Sequence, residues 1–90
     1  MDEPDKVRRS IGLRIIELRR DRKLTQEDFA ERLGMDVRHL RRIEAGKVNF
    51  TIDTIVKLAI ALKASTVDLF NPPSRKQLRQ PGRPKTPKTS

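Results

Sequence analysis

Three arginines and a valine share one face of a short predicted helix near the middle of the chain. At about 100° of helix per residue, four residues fall within one sector: Val37, Arg38, Arg41 and Arg42. Leu40 and Ile43 fall on the opposite side, so the arginines point outward when these apolar residues point into a core. An arginine fork can hold guanine O6 and N7 together, which gives this face the chemistry to read base edges. The same pattern is also typical of a solvated basic surface.

The residues before this helix predict another helix and a sharp turn. Thr25 suits an N-cap position, and an apolar face follows it, formed by Phe29, Ala30 and Leu33. Gly34 then suits the left-handed conformation that ends many helices. The second helix of a helix-turn-helix lies in the major groove and contacts base edges with its N-terminal residues. The helix–glycine–helix context therefore favours a base-reading face over a solvated one.

Helical spacing of apolar residues also predicts the first and fourth helices, and no alternating strand pattern appears. The first helix is predicted from Pro4 to about Arg22, with the inward stripe Val7, Ile11, Ile15 and Leu18. The fourth is predicted to follow a cap at Thr51, with the inward stripe Ile52, Ile55, Ala59 and Leu62. The fold class is therefore expected to be all-α.

Two further signals complete a compact five-helix prediction. Asp36 is expected to cap the arginine-bearing third helix, and Ser65 a short fifth helix with Leu69 and Phe70. These elements place the folded domain in residues 1–72. Residues 73–90 are basic, rich in proline and poor in apolar residues, so we expect a disordered tail there.

The chain has 90 residues, a net charge of +9 and no cysteine. Six basic residues and no acid lie in residues 73–90, so residues 1–72 carry only +3. Basic charge favours polyanionic partners, with nucleic acid ahead of a membrane surface. The absence of cysteine excludes a disulfide framework and a cysteine-based zinc site. The acids are scattered along helix faces, so we predict no catalytic site, no metal site and no cofactor.

The N-terminus begins with acids and lacks the apolar core of a signal sequence. No apolar run approaches the roughly 18 residues that a membrane span needs. We therefore expect a cytoplasmic protein without a membrane partner.

The motif resembles the lambda-repressor-like, Xre/Cro-type helix-turn-helix family over about residues 8–71, with the motif itself at about 25–45. The residues that carry the resemblance are Gln26, Phe29, Ala30, Leu33, Gly34, Met35, Leu40, Ile43, Glu44 and Gly46, followed by "TIDTIVKLAIAL". The resemblance implies a regulator of transcription that binds specific double-stranded DNA, with the third helix in the major groove.

The resemblance also implies roles for individual residues. Base contacts are expected from Val37, Arg38, Arg41 and Arg42, and phosphate contacts from Gln26, His39, Lys47 and Asn49. Val37 could instead help to seat the helix, and His39 could simply face solvent. Arg19 and Glu44 match a family pair that often forms a partly buried ion pair. Lys63 and Ala64 stand where the family often has Gly-Val, so a differently shaped turn is expected there.

The C-terminal stretch "RQPGRPKTPKTS" resembles an AT-hook, a short segment that binds the minor groove. Its expected DNA contacts are Arg79, Arg83 and Lys85. A narrow A·T-rich minor groove attracts inserted arginine through its enhanced negative potential. Pro81 stands where an AT-hook usually has its first arginine, so a solubilising tail with nonspecific affinity is the alternative interpretation.

A domain of this size usually needs two copies to read a long site, so a homodimer is expected. Four apolar residues could form the dimer surface or could equally be core: Val56, Ile60, Val67 and Phe70. One alternative is an antitoxin or a restriction–modification controller that uses the same domain and has a protein partner, a toxin or the transcription machinery. A weakly selective architectural DNA-binding protein is the other.

Overall fold

The computed structural model describes residues 3–74, which form four α-helices and one 3₁₀ turn. These are α1 (Pro4–Asp21), α2 (Gln26–Leu33), α3 (Val37–Glu44), α4 (Ile52–Leu62) and the 3₁₀ turn (Val67–Phe70). No strand occurs within residues 3–74, so the all-helical prediction is confirmed.

The prediction of a fifth α-helix is wrong, because that segment forms only a single 3₁₀ turn. Ser65 does begin the turn as expected: its hydroxyl accepts the Asp68 N–H at 3.2 Å, and the Asp68 carboxylate accepts the Ser65 N–H at 3.3 Å. Asn71 then adopts an extended backbone with ψ 145°. A residue before proline avoids the α region, so Pro72 stops the turn before an α-helix can develop.

Side-chain caps explain where two of the helices begin. The Thr25 hydroxyl accepts the Asp28 N–H at 3.0 Å, and the Thr51 hydroxyl accepts the Thr54 N–H at 3.1 Å. Asp36 occupies the N-cap position of α3, but its side chain forms no capping hydrogen bond. The predicted Asp36 side-chain cap is therefore wrong, and only the carbonyl of that residue accepts helical N–H groups.

One apolar cluster holds the four helices and the 3₁₀ turn together. Its members are Ile11, Ile15, Leu18, Phe29, Ala30, Leu33, Leu40, Ile43, Ile55, Leu58, Ala59, Leu62 and Leu69. Ile52 was expected inside, but it is 75% exposed at the first residue of α4. Leu58, which the predicted stripe left out, is fully buried one turn after Ile55.

Two left-handed residues end the helices that flank α3 in the chain. Gly34 ends α2 with φ 69°, and the Met35 N–H then bonds the Ala30 carbonyl at 3.0 Å. Lys63 ends α4 with φ 55°, the conformation that glycine favours at such a position. The turn after α4 therefore has a left-handed residue without a glycine, and the expectation that this turn differs in shape from that of the family stays a prediction.

Candidate nucleic-acid interface

The exposed face of α3 carries the three arginines that the sequence placed there. Arg38, Arg41 and Arg42 are exposed, whereas Leu40 and Ile43 are fully buried on the other side. Burial of that apolar side fixes the rotation of α3 about its axis, because rotating the helix would expose these two apolar residues. A positively charged helix face is thereby held outward.

Val37 and His39, the other two α3 residues with predicted DNA contacts, occupy different environments. Val37 is half-buried and packs against the core, so it helps to seat the start of α3. His39 is exposed and forms no side-chain hydrogen bond within residues 3–74. The predicted base contact by Val37 and phosphate contact by His39 stay predictions.

Gln26 at the start of α2 connects the exposed arginine face to a buried carboxylate. Its Nε2 donates to Glu44 Oε1 at 2.9 Å, and its Oε1 accepts from Arg41 Nε at 3.3 Å. Both ends of the Gln26 amide are therefore used within the protein. A phosphate contact by its side chain would have to replace or share one of these bonds, and the predicted role stays a prediction.

The ion pair implied for Arg19 and Glu44 is present and joins α1 to α3. Arg19 Nε donates to Glu44 Oε2 at 2.6 Å, and Arg19 Nη2 donates to Glu44 Oε1 at 3.2 Å. Arg19 Nη1 also donates to the Leu24 carbonyl at 2.8 Å. Charges this deeply buried are tolerated when their hydrogen-bonding groups are paired, as they are here. The pair fixes the end of α3 relative to the rest of the domain.

A glycine that the sequence reasoning missed brings α1 close to the same end of α3. A methyl group added at Gly12 would lie 2.4 Å from the Glu44 carbonyl oxygen, so only glycine fits this crossing. The signal in the sequence was a glycine inside an amphipathic helix, which weakens the helix and so usually has a packing reason.

The loop after α3 extends the basic surface. Arg42 Nη2 donates to the Lys47 carbonyl at 3.1 Å, and the Lys47 N–H donates to the Arg42 carbonyl at 2.9 Å. The Lys47 and Asn49 side chains are both exposed, and Asn49 Oδ1 accepts from Arg8 Nη1 at 3.2 Å. The structure thus brings together the α3 face and the predicted phosphate-binding loop. The tail residues Arg79, Arg83 and Lys85 lie outside the described residues.

No group of three or more histidine, cysteine or acidic side chains in the described part of the chain could hold a metal ion. No described helix is both long and apolar enough to cross a membrane.

The sequence of this chain matches known proteins that contain a helix-turn-helix. The family model described as helix-turn-helix (HTH_3) matches residues 15–69. An uncharacterized HTH-type transcriptional regulator, y4dJ of Sinorhizobium fredii, is 38% identical over 66 residues. That alignment covers 73% of this chain and 86% of the relative.

Solved structures have the same arrangement of helices. The restriction–modification controller protein C.AhdI from Aeromonas hydrophila superposes with a TM-score of 0.66 at 35% identity, over 70% of this chain and 96% of that one. The hypothetical transcription factor NHTF from Neisseria superposes with a TM-score of 0.71 at 23% identity, over 87% of this chain and 88% of that one. The second likeness shows the fold alone.

Proposed function

This chain belongs to the helix-turn-helix family of Xre/Cro-type DNA-binding transcriptional regulators, and we propose that it reads a specific double-stranded sequence by placing α3 in the major groove. The exposed arginine face of α3, fixed outward by the buried Leu40 and Ile43, is the observation that carries this proposal. Regulation of transcription requires access to the genome, which favours a cytoplasmic location.

Arg38 has the strongest support as a base contact. It lies in the first turn of α3, where helix-turn-helix proteins contact base edges. Within residues 3–74 its side chain forms no hydrogen bond or ion pair, whereas Arg41 bonds Gln26 and Arg42 bonds Lys47. An unengaged guanidinium group can turn toward guanine without breaking a protein contact. Val37, Arg41 and Arg42 complete the proposed base-reading set.

The phosphate contacts are proposed to flank α3 on both sides. Gln26 lies before α3 in the chain, and Lys47 and Asn49 follow it. His39 lies on α3 itself and is exposed. Contacts of this kind position the protein on the duplex and carry no sequence information themselves.

We also propose that the chain works as a homodimer. Large apolar side chains remain exposed on α4 and the 3₁₀ turn: Val56, Ile60, Val67 and Phe70. Exposed apolar patches mark interaction sites in soluble proteins. A two-fold dimer would read half-sites about 34 Å apart, one helical turn of DNA. Sedimentation at micromolar concentration tests this, and a strict monomer that still selects an inverted repeat would contradict it.

The basic C-terminal residues are proposed to add phosphate or minor-groove contacts. Deletion of residues 75–90 removes six cations, so the affinity for DNA should fall and its dependence on salt should flatten. Unchanged affinity at low salt would assign the tail another role. Enrichment of A·T-rich flanks only in the full chain would support AT-hook-like binding.

Selection of bound duplexes from a random DNA pool tests the main proposal. The full chain should enrich one sequence as an inverted repeat, and Arg38→Ala should lose discrimination at one position of each half-site. Arg20→Ala removes an exposed arginine on α1 and serves as the charge-matched control. Enrichment of A·T-rich DNA without a defined motif would favour the architectural alternative instead.

The likeness to C.AhdI supports a second, narrower candidate. That protein is a restriction–modification controller, and this chain aligns with 96% of it. A controller role predicts that the selected sequence lies upstream of adjacent genes for a nuclease and a methyltransferase. A selected sequence found only near unrelated genes would exclude this role and leave the main proposal intact.

A further inference from the structure

The first turns of α1 carry two arginines that precede the residues matched by the family. The match begins at residue 15, whereas α1 begins at Pro4. This part of α1 lies directly on the loop after α3. A methyl group added at Gly46 would lie 2.8 Å from the Cα of Arg9, so the backbone of α1 touches the loop there. The hydrogen bond from Arg8 to Asn49 adds a side-chain contact between the same two segments.

An open groove of about 450 Å³ lies beside this contact, is lined by residues of both segments and is basic. Four charged residues are among those that line it: Asp5, Arg8, Arg9 and Lys47. Three cationic residues and one acidic residue therefore border the groove, and this balance gives it a positive potential that attracts an anion. We call it the N-terminal groove.

The cations of the N-terminal groove differ in what they already bind. Arg8 forms an ion pair with Asp5 and also bonds Asn49. The Arg9 and Lys47 side chains are exposed and form no hydrogen bond or ion pair within residues 3–74. Arg9 and Lys47 are therefore free to bind an incoming anion, and Asp5 is the group that competes with it.

Two backbone carbonyls at the end of α3 are hydrogen-bonded within the turn that follows the helix. Helix C-termini carry a partial negative charge on their unpaired carbonyl groups. Here the Lys47 N–H bonds the Arg42 carbonyl at 2.9 Å, and the Gly46 N–H bonds the Ile43 carbonyl at 3.0 Å. These two carbonyl oxygens are therefore paired within the protein.

We propose that the N-terminal groove binds a backbone phosphate of the DNA flanking the α3 contact, with Arg9 and Lys47 as its ligands. Lys47 follows α3 and is held to Arg42 by the reciprocal bonds between the two residues, so the groove continues the proposed DNA-binding surface. The inference rests on the proposed function and extends the contact to residues before the family match. Free inorganic phosphate has the same chemistry as a backbone phosphate of DNA, and the experiment distinguishes these two possible ligands.

The test measures the salt dependence of binding by the full chain to a labelled random-sequence duplex of about 30 base pairs. Each phosphate contact contributes about 0.9 to the slope of log affinity against log salt, so Arg9→Gln and Lys47→Gln should each lower the slope by about that amount. When the salt concentration is raised from about 50 to 200 mM, the factor by which each variant loses affinity should then be roughly 3.5 times smaller than the factor for the original chain. Arg9→Lys keeps a charge and should retain the slope. Asp5→Asn should raise the affinity.

Lys6→Gln is the matched control, because Lys6 is an exposed cation on the same helix that does not line the groove. If the original chain binds DNA but Arg9→Gln behaves like Lys6→Gln, the groove proposal fails and the proposed function stands. If the original chain binds no duplex, both fail. Equal melting temperatures of the Arg9 and Lys6 variants would show that folding is not the cause of any difference.

Titration with inorganic phosphate, followed through the amide signals of Gly46 and Lys47, distinguishes the two sources of phosphate. Shifts that require Arg9, together with an unchanged DNA salt slope in Arg9→Gln, would assign the groove to a free anion and overturn the proposal. A reduced salt slope with no saturable phosphate shift would support the DNA backbone as the ligand.

Discussion

The Arg19 guanidinium and the Glu44 carboxylate form a two-bond ion pair whose side chains are only 8% and 3% exposed. The same carboxylate accepts from Gln26, which in turn accepts from Arg41 on the exposed face of α3. A buried contact between α1 and α3 is thus linked through one amide to the proposed DNA-binding surface. The ion pair and the apolar core thus both connect α3 to the rest of the domain.

Arg19→Ala should lower the free energy of unfolding by about 3–5 kcal/mol, because it leaves the Glu44 carboxylate buried without its cation. Urea denaturation at neutral pH measures the change. Arg20→Ala, one residue along the same helix and exposed, should stay within about 0.5 kcal/mol of the original chain. Equal stabilities of the two variants would show that the ion pair contributes no more than a surface charge.

The sequence predicted the elements whose ends are encoded locally. Four residues favour a helix start or end at their own positions: Pro4, Thr25, Gly34 and Thr51. The helix boundaries predicted from them agree with the structure. The Arg19–Glu44 pair could be named only through the family resemblance, because nothing local places an arginine of α1 beside a glutamate of α3.

The errors have tertiary or local steric causes. Ile52 has the right spacing for the core, yet the first residue of α4 remains exposed. The fifth helix had a valid cap at Ser65 but too little chain before Pro72 to form an α-helix. The contact of Gly12 with the Glu44 backbone depends on how two helices cross, which periodicity does not specify.

Gly12→Ala should destabilise the fold although it raises helix propensity. Propensity alone would stabilise a helix interior by about 1 kcal/mol. The added methyl group, however, would lie 2.4 Å from the Glu44 carbonyl oxygen, a backbone atom that cannot rotate away. Overpacking typically costs about 1–3 kcal/mol, so a net loss is expected in thermal or urea denaturation. Ser10→Ala reports the propensity effect on the same helix, and stabilisation by Gly12→Ala would refute the close crossing.

Lys63→Gly should stabilise the domain. Lys63 has φ 55°, and the left-handed conformation costs a residue with a Cβ about 1–2 kcal/mol. Glycine removes that cost, but the greater conformational entropy that it gives the unfolded chain lowers stability by about 0.4–1 kcal/mol. We therefore expect the free energy of unfolding to rise by about 0.5–1 kcal/mol. Lys57→Gly, an exposed interior position of α4, should instead lose about 1 kcal/mol. If Lys63→Gly and Lys57→Gly both lower the free energy of unfolding, the backbone at Lys63 is not strained.

Glu17→Gln should remove part of the acid sensitivity of the fold. Burial raises the pKa of the Glu17 carboxyl, but hydrogen bonds from Ser74 and Arg14 outweigh it and hold the pKa below its ordinary value of 4.5. Both carboxylate oxygens accept the Ser74 N–H at 3.1 Å, and Arg14 Nη1 donates to Oε1 at 2.8 Å.

A carboxyl whose pKa is lower in the folded state stabilises the fold fully above its unfolded value and loses that contribution as pH falls through the folded value. The stability difference between the original chain and Glu17→Gln should therefore shrink as pH falls below 4.5. Urea denaturation at a series of pH values measures it, with the exposed Glu31→Gln as the control. If Glu17→Gln and Glu31→Gln show the same pH dependence, the contact between Ser74 and Glu17 contributes nothing to stability.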